Sequence, residues 1–173
     1  DFNKEKMTCI VEPGIVLDEL NRFLKPFGLW FPVDVSTSSR ATIGGMTGNN
    51  SCGGRSIRYG MMRDNVLEIE GILSDGSTYK FGDIKDKEIA SNKEFAPQII
   101  NNLLNLAIEN KDEILTKFPK VLRRVGGYNI DSLLPDAMAS RPNGKKGDGI
   151  NLSHLLVGSE GTLVYSSAIT LKL

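Results

Sequence analysis

Six of the eighteen residues from Ile43 to Gly60 are glycine. Glycine at this density denies the backbone a long regular element, because each one carries conformational freedom that a helix or strand must remove. The stretch has to be a series of tight bends held in place by its surroundings. It also lies within an acid-free segment: Arg40, Arg55, Arg58 and Arg63 are its charged residues, giving a local charge of +4 in a chain whose 21 Lys+Arg balance 21 Asp+Glu. Gly44-Gly45 lets the backbone come close to a bulky ligand, Gly53-Gly54 permits a second bend, and Asn49, Asn50 and Ser51 offer neutral donors and acceptors. Exposed amides in such a bend form an anion-binding nest. The chemistry suggested is a loop lying along a phosphate-bearing cofactor, and a glycine-rich turn with solvated arginines fits the spacing equally well. The segment holds neither G-x-x-x-x-G-K-[ST] nor G-x-G-x-x-G, and Gly158-Ser159-Glu160-Gly161 is not a nucleophile elbow.

The flanking sequence predicts the scaffold. Met7 to Glu12 alternates as a strand and stops at Pro13-Gly14. Val16, Leu17, Leu20, Phe23, Leu24 and Phe27 recur at helical spacing, closed by Pro26 and Gly28, which predicts a helix over Val16–Lys25. Leu29 to Val33 is a short apolar run leading into a polar loop, Asp34 to Arg40. Asn65–Leu73 and Thr78–Phe81 flank Ser74-Asp75-Gly76-Ser77, and Asp-Gly between two β-rich runs signals a hairpin. A second helix fits Phe95–Asn110, with its pattern running on through Ile114, Leu115 and Phe118 to Pro119. Pro135 to Gly149 reads as an exposed loop, Asn151 as the cap of a short helix ended by Gly158, and Leu163 to Leu173 as a last alternating strand. This order predicts an α+β architecture, a mainly antiparallel sheet layered with helices, in one domain spanning 1–173.

Composition excludes several classes. A net charge of zero supplies no global field for nucleic acid or anionic lipid. No apolar run reaches the ~20 residues of a membrane span. Two cysteines, Cys9 and Cys52, and one histidine, His154, are too few for a disulfide scaffold or a metal centre of their own. The expected location is cytoplasmic, or peripheral to a membrane as the full-length protein. The chain opens with Asp rather than Met, which suggests a portion of a longer polypeptide.

Ala41-Thr42-Ile43-Gly44-Gly45-Met46, Asn49-Asn50-Ser51-Cys52-Gly53, Arg55-Ser56-Ile57-Arg58-Tyr59-Gly60 and Arg63-Asp64-Asn65-Val66 together resemble the FAD-linked oxidase family, of the vanillyl-alcohol-oxidase/p-cresol-methylhydroxylase type. The likeness is towards its D-lactate and D-2-hydroxyacid dehydrogenases. It continues in Val11-Glu12-Pro13-Gly14, Phe31-Pro32-Val33-Asp34, Ser74-Asp75-Gly76 and Gly158-Ser159-Glu160-Gly161-Thr162-Leu163, in family order. Val125 to Asp131, after Arg123-Arg124, resembles the branch with a long fused iron–sulfur region.

The resemblance implies the second subdomain of a PCMH-type FAD-binding domain, with the first subdomain before Asp1 and a substrate domain after Leu173. It implies FAD as cofactor, with iron–sulfur clusters in a region outside this chain. The implied activity is oxidation of a small D-2-hydroxy acid, such as D-lactate or D-2-hydroxyglutarate, by hydride transfer to FAD and on to an electron acceptor. A flavin enzyme of the same fold with different chemistry, or a non-enzymatic interaction module, stays open. The implied cofactor-lining residues are Ser36, Thr42, Gly44, Gly45, Asn49, Asn50, Ser51, Gly53, Glu160 and Gly161, with no catalytic residue in the chain. Arg55, Arg58 and Arg63 read as solvated or structurally paired, Tyr59 and His154 as packed, and Cys52 as a small buried filler. The chain departs from the family pattern at Val164-Tyr165, where the family often has Gly or Ala and then an aliphatic residue.

Overall fold

A computed structural model of the chain describes residues 1–84, 95–134 and 149–173. Its centre is a five-stranded sheet in the order β1-β2-β7-β3-β4. The strands are β1 (Phe2–Asn3), β2 (Thr8–Val11), β3 (Val66–Ile72), β4 (Thr78–Phe81) and β7 (Tyr165–Lys172). Every pairing in it is antiparallel. A separate two-stranded ribbon joins β5 (Asp83–Ile84) to β6 (Ile150–Asn151). The predicted α+β layering holds.

The sheet is buried on one face. Cross-strand register aligns Cys9 with Leu171 and Val66, and Val11 with Ile169, Ile69 and Phe81. Cys9, Val66, Ile69, Phe81, Ile169 and Leu171 are all buried, while Ile10, one residue off this row, is exposed. A side-chain period of two produces that alternation.

Against this face packs α1 (Leu17–Leu24), whose buried Leu17, Leu20 and Leu24 form the expected helical stripe. Asp18 and Glu19 in its first turn complement the helix dipole. A 3-10 turn, Lys25–Phe27, and a left-handed Gly28 end it. The second helix is interrupted: α5 (Phe95–Glu109) breaks at Asn110 and α6 (Lys111–Lys117) continues. Ile100, Leu104, Ala107 and Ile114 bury its stripe. The expected loop from Pro135 falls outside the described residues up to 148.

The 74–77 hairpin forms as predicted. Gly76 takes a left-handed φ of 84°, and Asp75 accepts from both the amide and the hydroxyl of Ser77. These bonds hold the Asp75 carboxyl below its ordinary range.

The last strand departs from its expected alternation. Register shifts on the β3–β7 ladder leave Leu67 and Ser167 as extra residues. A one-residue bulge exchanges the faces of everything beyond it. Val164 is therefore the buried residue, against Gly71 and Phe81, while Leu163 and Tyr165 are exposed. The departure from the family pattern at Val164-Tyr165 is accommodated in this way: the valine fills the space over Gly71 and the tyrosine points to solvent. The other bulge frees the Leu67 carbonyl, which accepts from Asn151 Nδ2 at 2.8 Å.

Candidate cofactor site

The glycine-rich stretch folds into two short helices, α2 (Ile43–Gly48) and α3 (Ser56–Tyr59), and a third, α4 (Met62–Asn65), follows it directly. Thr42 caps α2, its hydroxyl accepting from the Gly45 amide. The entry to α2 is clamped by backbone bonds from Ile43 to Ile15 and from Gly44 to Pro13, each 2.8 Å. A Cβ on Gly44 would lie 2.5 Å from Pro13 Cβ. The space a side chain would need at Gly44 is thus taken by Pro13. Gly45, by contrast, is exposed.

Gly53 serves the same kind of internal contact. A Cβ there would overlap the Asp34 carbonyl and carboxylate, and the same carboxylate accepts from the Arg55 amide at 3.0 Å. The loop from Asp34 is pinned to the glycine segment at that point. Ser36 lies exposed in the turn that follows.

Among the amide residues, the fold separates neighbours. Asn49 is exposed at the end of α2, its Oδ1 accepting from Ser51 Oγ at 2.6 Å. Asn50 is fully buried in a left-handed conformation, φ 51°. Its Oδ1 accepts from the Arg63 amide and its Nδ2 donates to the Arg124 carbonyl. Ser51 is half-buried, and Cys52 is also half-buried rather than fully buried as expected.

The Gly158–Thr162 loop is the partner of this stretch. Gly158 donates to the Thr47 carbonyl and Glu160 to the Gly48 carbonyl, both at 2.9 Å. Gly158, Glu160 and Gly161 all have positive φ, and Glu160 and Gly161 are exposed. Nothing lies within 4 Å of a Cβ placed on Gly161. The Tyr128 hydroxyl reaches Thr162 Oγ1 at 2.8 Å, adding the 119–129 segment to the same edge.

Behind this edge is a polar core that the sequence reading did not assign. Asn129, 2% exposed, donates from Nδ2 to the His154 and Val157 carbonyls. Its Oδ1 accepts from Arg63 Nη1 and Arg124 Nη2, both at 3.2 Å. Asp131 pairs with both guanidiniums, and Arg124 also lies 4.6 Å over the Phe118 ring. Arg63 is therefore structurally paired. His154 is buried, packed as expected. The signal that could have found Asn129 was polar side chains directly after Gly126-Gly127, a pair of glycines outside any regular element.

The exposed surface offers a flavin dinucleotide suitable chemistry. Gly45, Asn49 and Gly161 are exposed and Ser51 is half-buried beside them, and Glu160 is the one carboxylate of these two stretches. Neutral donors beside open glycines suit a doubly negative group without adding repulsion. No group of three or more His, Cys, Asp or Glu able to hold a metal ion occurs among the described residues. No helix there is long and apolar enough to cross a membrane.

Comparison with known proteins agrees with the motifs. Residues 1–82 match the family model of an FAD binding domain. The chain is 34% identical to D-2-hydroxyglutarate dehydrogenase of Pantoea ananatis over 177 residues, covering 100% of the chain and 16% of that protein. It is 31% identical to the enzyme of the same name from Escherichia coli over 174 residues, covering 95% of the chain and 16% of that protein. A probable mitochondrial D-lactate dehydrogenase of Danio rerio is 42% identical over 77 residues, covering 44% of the chain and 15% of that protein. The chain thus spans about one sixth of the length of its full-coverage relatives. On its ordered motifs, its antiparallel α+β fold and these matches, the chain belongs to the FAD-linked oxidase family.

Proposed function

We propose that this chain forms one wall of the FAD site in a flavin-dependent dehydrogenase that oxidises a D-2-hydroxy acid, such as D-lactate or D-2-hydroxyglutarate. The observation that carries the reading is the pair of backbone bonds from Gly158 and Glu160 to Thr47 and Gly48. They join two family motifs, more than a hundred residues apart in sequence, into one exposed and acid-poor edge. Gly45 and Gly161 let the cofactor approach the backbone closely, and the Asn49 and Ser51 side chains supply neutral polar groups beside them. Thr42 caps the helix beneath them, while Gly44, Asn50 and Gly53 fix the course of the backbone. Glu160 orients its loop through its own amide, and Ser36 borders the site beyond Asp34. When bound, FAD supplies the acceptor for the hydride leaving the substrate α-carbon.

Proton transfer and the route to an electron acceptor belong to other parts of such an enzyme, which we place in the cytoplasm or at a membrane surface. The chain alone offers one side of a long dianionic ligand, so ordering costs remain while half the contacts are lost. The purified chain should be colourless, bind FAD weakly in calorimetry and turn over no D-2-hydroxy acid. A stoichiometric yellow protein, or turnover of D-lactate or D-2-hydroxyglutarate, would overturn the one-wall reading.

A further inference from the structure

Just after Gly53 in the chain is an open cleft of about 510 Å³ lined by Trp30, Gly54, Arg55, Ile57, Arg58 and Tyr59. Trp30 and Tyr59 meet edge to face, ring centroids 5.3 Å apart. The Arg55 guanidinium lies 4.6 Å over Trp30 and that of Arg58 lies 5.3 Å from the Tyr59 ring. Among the described residues neither guanidinium is in a salt bridge, whereas Arg63 and Arg124 share Asp131.

A guanidinium stacked on a ring keeps its N–H edge free, and that planar fork matches a carboxylate or phosphate in two parallel bonds. Stacking also removes much of the side-chain freedom that a free arginine loses on binding. The backbone beneath is fixed too: the Arg55 amide donates to Asp34, and the Gly53 amide to Ser56 Oγ at 2.9 Å. Two pre-placed forks and an aromatic floor, with the adjacent Asp34 carboxylate engaged by the Arg55 amide, are the elements of an anion clamp.

We propose that this cleft binds a small dianion, one anionic group to Arg55 and the other to Arg58, with the linker over Trp30 and Tyr59. The identity of the ligand rests on the flavin-dehydrogenase reading, under which two sources carry this chemistry. One is the diphosphate of the cofactor, reaching past Gly54 from the cofactor edge. The other is a hydroxy acid with a second carboxylate.

Trp30 is the single tryptophan of the chain, so its emission reports on this cleft directly. The 173-residue chain, without flavin, is titrated at about pH 6, where pyrophosphate and glutarate are both chiefly dianions, and at constant ionic strength with inorganic pyrophosphate, with glutarate and with the monoanion D-lactate. At least one dianion is expected to change the emission saturably, with D-lactate at least ~10-fold weaker. Saturation by pyrophosphate alone assigns the cleft to the cofactor diphosphate, and saturation by glutarate assigns it to a dicarboxylate. Arg58→Gln, which leaves Arg55 on Trp30, is expected to weaken the response about tenfold with an unchanged circular dichroism spectrum. The proposal fails if neither dianion exceeds the response to chloride, or if the Arg55→Gln/Arg58→Gln double variant responds like the parent chain. Because no flavin is present, failure of the FAD titration leaves this result readable, and the converse also holds.

Discussion

Arg63 and Arg55 stand eight positions apart in one acid-free segment, yet the fold treats them oppositely. Arg63 is 14% exposed and shares Asn129 and Asp131 with Arg124, beneath the cofactor edge. Arg55 is exposed, its guanidinium stacked on Trp30 and in no salt bridge among the described residues. One group of arginines is part of the scaffold and the other is available to a ligand. A partly buried guanidinium needs its counter-charge to be stable at all, while an exposed one contributes little to folding and can be kept for binding.

Breaking the boundary between the two groups should have the largest effect. Gly53→Ala drives a Cβ into Asp34, which holds the start of α3, while the Gly53 carbonyl accepts from Arg123 at 2.8 Å. A loss of about 3 kcal/mol or more is expected from denaturant unfolding. Asn129→Ala removes four hydrogen bonds, leaving the His154 and Val157 carbonyls without them and the two arginines with their ion pairs to Asp131, which should cost about 3 kcal/mol.

The two cysteines sharpen the same contrast between inner and outer positions. Burial pushes the Cys9 thiol up from 9.0 to about 11, so it should resist thiol reagents at pH 8 while half-buried Cys52 reacts. In the unfolded chain Cys9 ionises at its lower, ordinary value. Its contribution to stability is therefore complete below pH 9 and lost as pH rises towards 11, a decline that Cys9→Ala should lessen in alkaline unfolding curves. The smallest effect belongs to the outer group: Arg55→Gln and Arg58→Gln should each stay within about 0.5 kcal/mol of the parent. A large loss at either position would erase the distinction between scaffold and ligand-ready arginines.

The sequence made the scaffold legible where the signal is local. Asp75-Gly76 specifies a turn by its own chemistry, and the leucine stripe of α1 needs no distant information. The bulge at Ser167 was not legible, because alternation alone gives no sign of a residue left unpaired by a neighbouring strand. The glycine segment was legible as a set of bends but not in what each glycine serves. Gly44 and Gly53 are small because Pro13 and Asp34 arrive against them from far earlier in the chain. For the same reason Asn49 and Asn50 looked equivalent, and only the Arg63 and Arg124 backbones tell them apart. Arg63 could not be sorted from Arg55 without Asn129 and Asp131, which lie more than sixty residues on.

The central claim is that the joined edge of Thr42–Ser51 and Gly158–Thr162 faces the flavin dinucleotide. Amide chemical shifts of the isotopically labelled chain, followed during titration with FAD, test it even at weak affinity. The account predicts that Gly45, Asn49, Ser51, Glu160 and Gly161 move together along one saturable curve, with the strands of the five-stranded sheet unchanged. Shifts concentrated on the strands, or on Gly45 without Gly161, would contradict it.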